Sequence, residues 1–566
     1  MGKAFPSALA RALGVLGGGL ALLAAPVLAQ TNHKHYEKPA GADKPGPSGQ
    51  LAPRLQNLGP YAFLVTTRSK PAQLFINQGV NLAFGFNHAE AGRAFREAAR
   101  LDPDCAMAYW GQALVLGPNI NAPMSPEDEP KAYALAQKAL AMRPKASPRE
   151  RAYIDAVAQR YSGKSDDRPV RDRAYADAMR AVSRKYPSDL DAAAFLAEAL
   201  MDLRPWNYWA PDGSPYLETP EIVATLESVL ARKPDHPGAT HYYIHVMEST
   251  KNPERAEAAA DRLLKLMPGA GHMVHMPSHI YQRLGRYADA SAANERAILA
   301  DEDYIAQCQA QGIYPMGYYP HNIHFLWSAV TMEGRSGLAI ESARKVASKV
   351  ADPMLDQIPL LAGFRVVPYF ALTRFGHWNE MLQEPAPPER SLYLTGVWHY
   401  ARGIAFVGKA QLDDADKELA EVRRIAADPG LNFNLFSPNT AAAIFAIAPE
   451  ALAGTLAAGR KQYEDAIAHA ERAVHLEDSL AYTEPAEWHY PTRQLLGAVL
   501  LDGGRAREAA AVYWEDLSRN RENGWSLFGL MKALRAQGRD PEAAAVEKRF
   551  QKAWVKADVE LTASRF

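Results

Sequence analysis

Residues 91–103 read AGRAFREAARLDP. A small, a large and a small residue, Ala91, Phe95 and Ala98, stand four and three positions apart, and Pro103 follows five later. This spacing puts the first three residues on one helix face, and the proline ends the helix. The pattern recurs with its proline at Ala132, Ala136, Ala139, Pro144; Tyr175, Met179, Val182, Pro187; Ile222, Leu226, Val229, Pro234; and Ala256, Ala260, Leu263, Pro268. It recurs without the proline from Ala290, from Ala339 and from Ala466.

The repeat length points to a known architecture. Pro234 and Pro268 lie 34 residues apart, and in four units a glycine precedes the second helix's first small residue by 12 positions (Gly79, Gly403, Gly454, Gly497). In these features the chain resembles the tetratricopeptide repeat family, whose units are 34-residue antiparallel helix pairs. The resemblance covers about residues 70–555. It implies an all-α, tetratricopeptide-like helical-hairpin solenoid of about nine to eleven units. Insertions lengthen several units, near residues 118–128, 205–217, 303–318 and 426–440.

Composition limits the function classes. Of 566 residues, 48% are hydrophobic and 22% are charged, which is globular composition and excludes a wholly disordered chain. Lys and Arg number 63 against 64 Asp and Glu, for a net charge of -1. A dedicated nucleic-acid binder needs a basic surplus, so we expect no nucleic-acid partner. Cys105 and Cys308 are too few for a disulfide framework, and the sequence leaves open whether they form one bridge.

The N-terminus has the form of an export signal. Two basic residues flank the start of an apolar stretch over residues 12–28, and Val27-Leu28-Ala29 matches a signal-peptidase site. The alternative is a membrane anchor, but the stretch is short, contains three consecutive glycines and has no stop-transfer pattern after it. We expect a signal peptide over 1–29, cleaved near Ala29. The protein is then periplasmic or secreted, with no integral membrane span after cleavage.

Two further segments complete the expected organisation. Residues 30–69 contain Lys, Pro, Gly and Asp with little apolar content, which predicts a flexible linker. The solenoid then occupies residues 70–555, and residues 556–566 form a C-terminal tail.

The histidines are concentrated in three consecutive units. We take the first small residue of each second helix, Ala256, Ala290 or Ala339, as the reference and consider the positions 11, 15 and 18 residues before it. Seven of these nine positions are histidine, far above the chain average of 16 in 566. The seven are His241, His245, His272, His275, His279, His321 and His324. The spacings of three and four place them on one face of each unit's first helix, which lines the groove in the proteins that this chain resembles.

Such a cluster predicts a metal site. First helices of neighbouring units lie about 8–10 Å apart, so their imidazoles can converge. Copper and zinc bind neutral imidazole nitrogens at about 2.0–2.1 Å. We predict that these seven histidines hold one or two ions. Copper is favoured and zinc is next, because export suits both metals and the layout is similar to that of binuclear copper proteins.

The sequence also predicts roles for other residues near the cluster. Glu248 shares the face of His245 and is predicted to be a catalytic base, a ligand or an orienter of a ligand. Asp191, Glu198 and Asp202 occupy corresponding positions one unit earlier and are predicted to act as general bases or to hold ring N–H groups. Pro277 predicts a kink or a true helix start between His275 and His279. Additional candidates are Met273 and Met276 as soft ligands, Arg283 for an anion, and Tyr242, Tyr243, Tyr318, Tyr319 and Trp327 as pocket walls.

Two function classes follow from the sequence. In the first, the metal is catalytic and the aromatic residues hold a small organic substrate; an oxidoreductase is then favoured over a hydrolase. In the second, the groove binds a peptide or protein, or carries metal, with no chemistry of its own, and a groove of imidazoles would respond to acid. We expect His399 and His489 to be capping or packing residues. His88, His236, His377, His469 and His475 lie off the pattern and are expected at the surface.

Overall fold

Helices separated by short breaks make up the chain. The computed structural model describes residues 49–210, 212–308, 314–388, 390–435 and 438–566. The predicted signal peptide and the first part of the predicted linker lie outside these residues. Within the described ranges no strand is present, only isolated bridges such as Asn119 with Ala122.

The α-helices are α1 Lys70–Phe84, α2 His88–Leu101, α3 Ala106–Leu114, α4 Glu129–Met142, α5 Pro148–Val157, α6 Arg168–Lys185, α7 Leu190–Met201, α8 Thr219–Arg232, α9 Pro237–Met247, α10 Glu257–Leu266, α11 Gly271–His275, α12 Pro277–Arg283, α13 Tyr287–Cys308 and α14 Tyr319–Met332. They continue as α15 Ser336–Ala347, α16 Asp352–Gln357, α17 Ala362–Arg365, α18 Val367–Arg374, α19 Trp378–Gln383, α20 Leu392–Gly408, α21 Leu412–Ala426, α22 Ala441–Phe445, α23 Ile447–Gly459, α24 Tyr463–Asp478, α25 Thr492–Asp502, α26 Ala506–Arg519, α27 Gly524–Ala536 and α28 Asp540–Ala553. A π-helical turn spans Tyr314–Tyr318.

The repeated small-large-small pattern forms the packing surface of each second helix. Ala91, Phe95 and Ala98 are fully buried on α2. The ring of Phe95 fills the space between α1 and α3, because a Cβ atom at Gly79 or Gly111 would lie 2.6 or 2.5 Å from it. Glycine is therefore required where these helices approach most closely.

Consecutive helices pack in pairs, and each pair packs on the next. Contacts run from α1 to α2, from α2 to α3 and from α3 to α4, and the same order continues to α27 and α28 with short interruptions. This arrangement is a tetratricopeptide-like helical-hairpin solenoid, and the all-α prediction is confirmed.

The described part of the predicted linker is not free chain. In residues 49–69, Ala52, Leu58 and Phe63 are buried. Phe63 stacks on Trp110 with ring centroids 5.6 Å apart, and Leu51 donates its backbone N–H to Glu97. The prediction of a flexible linker is wrong for this part, because a few apolar residues among the prolines are enough to anchor the segment on α1 to α3.

The solenoid has two apolar cores that meet near α13 and α14. One is built mainly from residues before α14, and the other from residues after α13. The last repeats return to this junction: the indole of Trp525 donates to the carbonyl oxygen of Thr331 at 2.9 Å, and Asp558 accepts the backbone N–H of Gly337 at 3.0 Å. The predicted tail therefore packs against α15.

One apolar segment, Ala441–Gly459, is long and hydrophobic enough to cross a membrane by length and composition. Of its most apolar window, 78% is buried among other helices. Core packing accounts for its composition.

Candidate metal centre

Six of the seven predicted histidines converge where the two cores meet. His241 and His245 lie one turn apart on α9, and His272 and His275 lie on the short helix α11. His279 lies on α12 and His321 in the first turn of α14. Pro277 starts α12, so the break between the two helices falls between His275 and His279, as predicted. The six imidazoles divide into two groups of three.

The first triad consists of His241, His245 and His272. The Nε2 atoms of His241 and His272 are 3.1 Å apart, and the His241 ring centroid lies 4.8 Å from that of His245. One nitrogen from each ring lies within 4.8 Å of the other two. Two nitrogens that bind one ion at 2.0–2.1 Å are about 2.9–3.4 Å apart, so the spacing of the close pair already fits a shared ion.

The second triad consists of His275, His279 and His321. The Nε2 atoms of His275 and His279 are 2.9 Å apart, and the His275 ring centroid lies 4.8 Å from that of His321. These three rings also present nitrogens within 4.8 Å of one another. The triads adjoin: ring centroids are 6.0 Å apart both between His272 and His275 and between His245 and His279.

Hydrogen bonds at Nδ1 aim the Nε2 atoms of two rings into the triads. The Nδ1–H of His241 donates to the carbonyl oxygen of Phe84 at 2.6 Å. The Nδ1–H of His275 donates to Oδ1 of Asn294 at 2.7 Å, and the amide nitrogen of Asn294 is used separately on the carbonyl of Ala290. Fixing the tautomer and the orientation of a ring in this way is typical of metal-binding histidines.

Glu248 serves a histidine of each triad. Its Oε1 atom accepts from Nδ1 of His245 at 3.0 Å, and its Oε2 atom pairs with Nδ1 of His279. The carboxylate is fully buried at the C-terminal end of α9. Of the roles predicted for Glu248, its position matches that of an orienter behind the ligand nitrogens and not that of a ligand of either triad.

A second carboxylate reaches His279 from a distant repeat. Oε2 of Glu484, in the connection between α24 and α25, lies 3.3 Å from Nδ1 of His279. Both Glu484 oxygens are buried, and the hydroxyl of Tyr482 also bonds to this carboxyl group. The sequence reasoning did not find this residue. Its signal is the aromatic, non-helical stretch from Tyr482 to Pro491, which is too long for a tight turn between repeats.

The facing nitrogens require a cation. Nδ1 of His275 and Nδ1 of His279 both carry hydrogen, because each faces oxygen acceptors, so their Nε2 atoms present lone pairs to each other at 2.9 Å. Two lone pairs at this distance repel unless a proton or a metal ion lies between them. Without metal the proton resides on His279: burial lowers its pKa, but Glu248 and Glu484 outweigh burial and raise the pKa to about 10.

The other histidines of the triads are neutral at physiological pH. Burial lowers the pKa of His245 and holds the pKa values of the remaining four well below 6.5 (His241, His272, His275, His321). Burial alone would raise the pKa of Glu248, but its imidazole partners have the larger effect and lower this pKa to about 2. The centre thus offers neutral imidazole donors, the form that binds metal, beside a carboxylate that offsets an ion's charge.

A phenylalanine covers each triad. Phe86, after α1, lies 4.7 Å from His241 and 5.8 Å from His272 between ring centroids. Phe325, on α14, lies 4.7 Å from His279 and contacts the rest of its triad. Neither was predicted. Phe325 follows His321 by four residues, a spacing that would have indicated it.

Connections inserted between repeats reach the centre as well. Trp206, in the connection from α7 to α8, lies 5.1 Å from the ring of His245 and is 39% exposed. Tyr318, before α14, lies 4.8 Å from His272. Of the five predicted pocket walls, two contact the cluster: Tyr318 and Tyr242. The other three have different partners. Tyr243 bonds to Glu227, Tyr319 bonds to Glu302, and Trp327 stacks on His324.

His324 lies outside both triads. Its ring stacks on Trp327 at 5.2 Å and contacts Phe364. It lies one turn after His321 on α14, and its ring faces residues of the second core. The prediction that His324 is a metal ligand is therefore not supported by its position.

The acidic residues of the preceding unit serve other partners. Asp202 pairs with Arg160 at 2.7 Å, and Glu198 lies in the same buried group. Asp191 accepts from Tyr61 and lies 3.3 Å from Nε2 of His236. The suggestion that these carboxylates hold the rings of the cluster is wrong, because Asp202 and Glu198 face Arg160, whereas Asp191 faces Tyr61 and His236.

Several other sequence predictions change. His236 is fully buried and caps α9 through Nδ1, so it is not a surface residue. Met273 and Met276 are fully buried, and Met273 packs on Gly85. Arg283 donates to the carbonyl of Thr250 and covers the Tyr482 ring.

The remaining cysteine and histidine assignments are settled by contacts. Cys105 and Cys308 are buried and free. His399 bonds to Glu418, and His489 is stacked on Phe370 and receives the hydroxyl of Tyr400.

Comparisons with known proteins leave the family open. No protein-family model and no curated protein matches the sequence. Among solved structures, human IFIT1 in its dimer with m7Gppp-AAAA is 11% identical over 86% of this chain and 91% of its own, with a TM-score of 0.30. Yeast Tom70 is 12% identical over 85% of this chain and 99% of its own, with a TM-score of 0.30. Scores this low carry no argument, and the fold class rests on the helix pairs themselves.

Proposed function

We propose that the protein is a metalloprotein with a binuclear centre, in which each triad holds one transition-metal ion. Copper is favoured and zinc is next. The observation that supports this most strongly is the pair of facing Nε2 atoms in each triad, 3.1 and 2.9 Å apart in a fully buried site. A hydrogen bond between neutral rings would account for the first pair, but the second pair needs either an added proton or an ion between its nitrogens.

The donor set supports copper. Both triads are made of imidazole nitrogen, and the nearest carboxylate, Glu248, contacts the far side of the rings. Harder ions such as magnesium or manganese prefer oxygen ligands, whereas copper and zinc accept imidazole. Copper also binds nitrogen sites more tightly than the other divalent first-row metals.

Three protein ligands for each ion are the ligand count of a catalytic site, since one coordination position stays open. We infer a metal-dependent oxidoreductase that acts on a small organic substrate. When bound, a copper pair supplies a two-electron acceptor, which dioxygen can regenerate. The protein's own residues hold and orient the imidazoles, and Phe86 and Phe325 exclude water from them. The alternative is a metal carrier or peptide-binding scaffold, in which the same ions would have no turnover.

The test is elemental analysis of the untagged protein, purified without chelators from the exported fraction. A periplasmic or secreted location is itself part of the proposal. We expect about two copper or zinc ions for each chain, and one after either H241A or H275A disables a single triad. H324A is the matched control, a half-buried histidine on the same helix as His321, and it should keep both ions.

Two results would contradict the metal centre. One is a metal-free wild-type protein that stays metal-free after reconstitution with copper and zinc. The other is full metal content in both H241A and H275A. A loaded protein that consumes no dioxygen with any of a panel of small reducing organic compounds would favour the carrier.

A further inference from the structure

The connection between α24 and α25, residues 479–491, crosses to a helix much earlier in the chain. It contacts one face of α12 at two points. Glu484 lies 3.3 Å from Nδ1 of His279, and the guanidinium of Arg283 lies 5.2 Å from the centre of the Tyr482 ring. His279 and Arg283 are four residues apart and share that face.

The far side of the connection is held independently of the metal centre. Asn439 donates its side-chain amide to the carbonyl oxygen of Ala481 at 3.0 Å and accepts the backbone N–H of Ala481 at 2.8 Å. Its amide also bonds to Glu487 at 2.7 Å. The connection therefore arrives at α12 already fixed at one end, and Glu484 is presented to His279 by the second core.

Glu484 is costly where it lies unless a cation is near. Its side chain is 5% exposed, and its only polar partners among the described residues are the ring N–H of His279 and the hydroxyl of Tyr482. Glu248 already occupies Nδ1 of the same imidazole, so two buried carboxylates share one N–H. Repulsion between like charges is strong at low dielectric. In the metal-free protein the extra proton on His279 offsets part of this repulsion, and a bound ion in the second triad, one imidazole away, supplies a larger positive charge in its place.

We propose that Glu484 is a positioning residue of the second triad, supplied by the second core, and that metal binding there and seating of residues 479–491 on α12 stabilise each other. This inference rests on the proposed metal centre. The reciprocity is required by thermodynamics: if the seated connection raises the metal affinity, the metal favours the seated connection by the same factor. The first triad makes no contact with Glu484 among the ion pairs of the described residues, so its affinity should not depend on this residue.

The first test measures copper(I) and zinc affinities by competition with a chromophoric chelator, in two backgrounds. H241A/H245A leaves the second triad, and H275A/H321A leaves the first. We expect E484Q to weaken the second triad by about 10- to 100-fold and to leave the first unchanged. The matched control is E450Q, which removes the carboxylate from another histidine–glutamate pair, that of His469, outside the centre.

The second test needs no variant. Hydrogen exchange of peptides that cover residues 479–491 is compared between metal-free and copper-loaded wild-type protein. We expect slower exchange in the loaded protein, while peptides from α27 and α28 exchange equally in both. Unchanged affinity in E484Q, equal weakening of both triads, or equal exchange with and without metal would each overturn the inference. A wild-type protein that binds no metal would instead remove the proposed function beneath it.

Discussion

At the scale of single residues, Glu248 is the point where the two triads meet. One carboxylate oxygen bonds to His245 of the first triad and the other pairs with His279 of the second. The sequence placed Glu248 beside His245 through their spacing on α9, but it could not show that α12 brings His279 to the other oxygen. Spacing within a helix is predictable, whereas contacts between helices depend on packing.

E248Q should weaken both triads. Glutamine keeps the shape but removes the buried negative charge that faces a histidine of each triad, and its N–H₂ group also leaves one of the two imidazoles without an acceptor. We expect a loss of about 10- to 100-fold in affinity for copper(I) at each triad, measured by chelator competition in the same single-triad backgrounds. E418Q, which removes the carboxylate partner of His399 far from the centre, is the control. A loss confined to one triad would show that Glu248 is not shared.

His324 shows that the position of a residue within its repeat does not by itself fix the direction of its side chain. It occupies the same place relative to its unit as His241 and His275, yet it faces Trp327 and Phe364. The prolines that open α12 and α14 shift the helix starts relative to the repeat, so equal spacing does not give equal direction. The six converging histidines were predictable because neighbouring helices stack side by side; His324 was not.

At the scale of elements, departures from the repeat build the surroundings of the centre. Two of the insertions visible in the sequence carry Trp206 and Tyr318 to the histidines. Glu484 also reaches the histidines, from a connection that the repeat pattern did not identify as an insertion. Repeats predict helices well because each unit has the same apolar spacing. The path of an insertion has no such spacing and is fixed only when the solenoid closes.

Trp206 lies between solvent and the first triad. The residue is 39% exposed, its ring contacts that of His245, and its backbone φ is +64. W206A should therefore let a chelator remove the metal several-fold faster at equal stoichiometry. Stopped-flow transfer of copper(I) to a chromophoric chelator measures this.

Trp514 supplies the control variant for the rate of metal release. It is 43% exposed on α26, away from the histidines, so W514A should release metal at the wild-type rate. Equal release from W206A and the wild type would place the access path elsewhere.

At the scale of the whole molecule, buried titratable groups of opposite behaviour are spread through the solenoid. Burial raises the pKa of several carboxyl groups from about 4 to about 7 (Glu90, Glu198, Asp301 and Glu477). Burial lowers the pKa of His88 and His324 from 6.5 to about 3. Each group changes the free energy of unfolding by about 1.4 kcal/mol for each pH unit between its folded and unfolded pKa values.

Protonation of the carboxyl groups and protonation of the histidines have opposite effects on the free energy of unfolding, and the two effects end at different pH values. Between pH 7 and about pH 4.5, the folded state takes up protons on the carboxyl groups. The unfolded state takes them up on His88, on His324 and on the five triad histidines whose pKa is lowered, so the two changes in stability oppose each other. Below about pH 4.5 the carboxyl groups are protonated in both states, but the histidines still bind protons only when unfolded, down to about pH 3. We therefore expect the melting temperature of the metal-free protein, followed by circular dichroism, to change little from pH 7 to 5 and to fall steeply from pH 4.5 to 3. A steady fall that begins at pH 6.5 would mean that the carboxyl groups are ionised in the folded protein and that only the histidines set its acid stability.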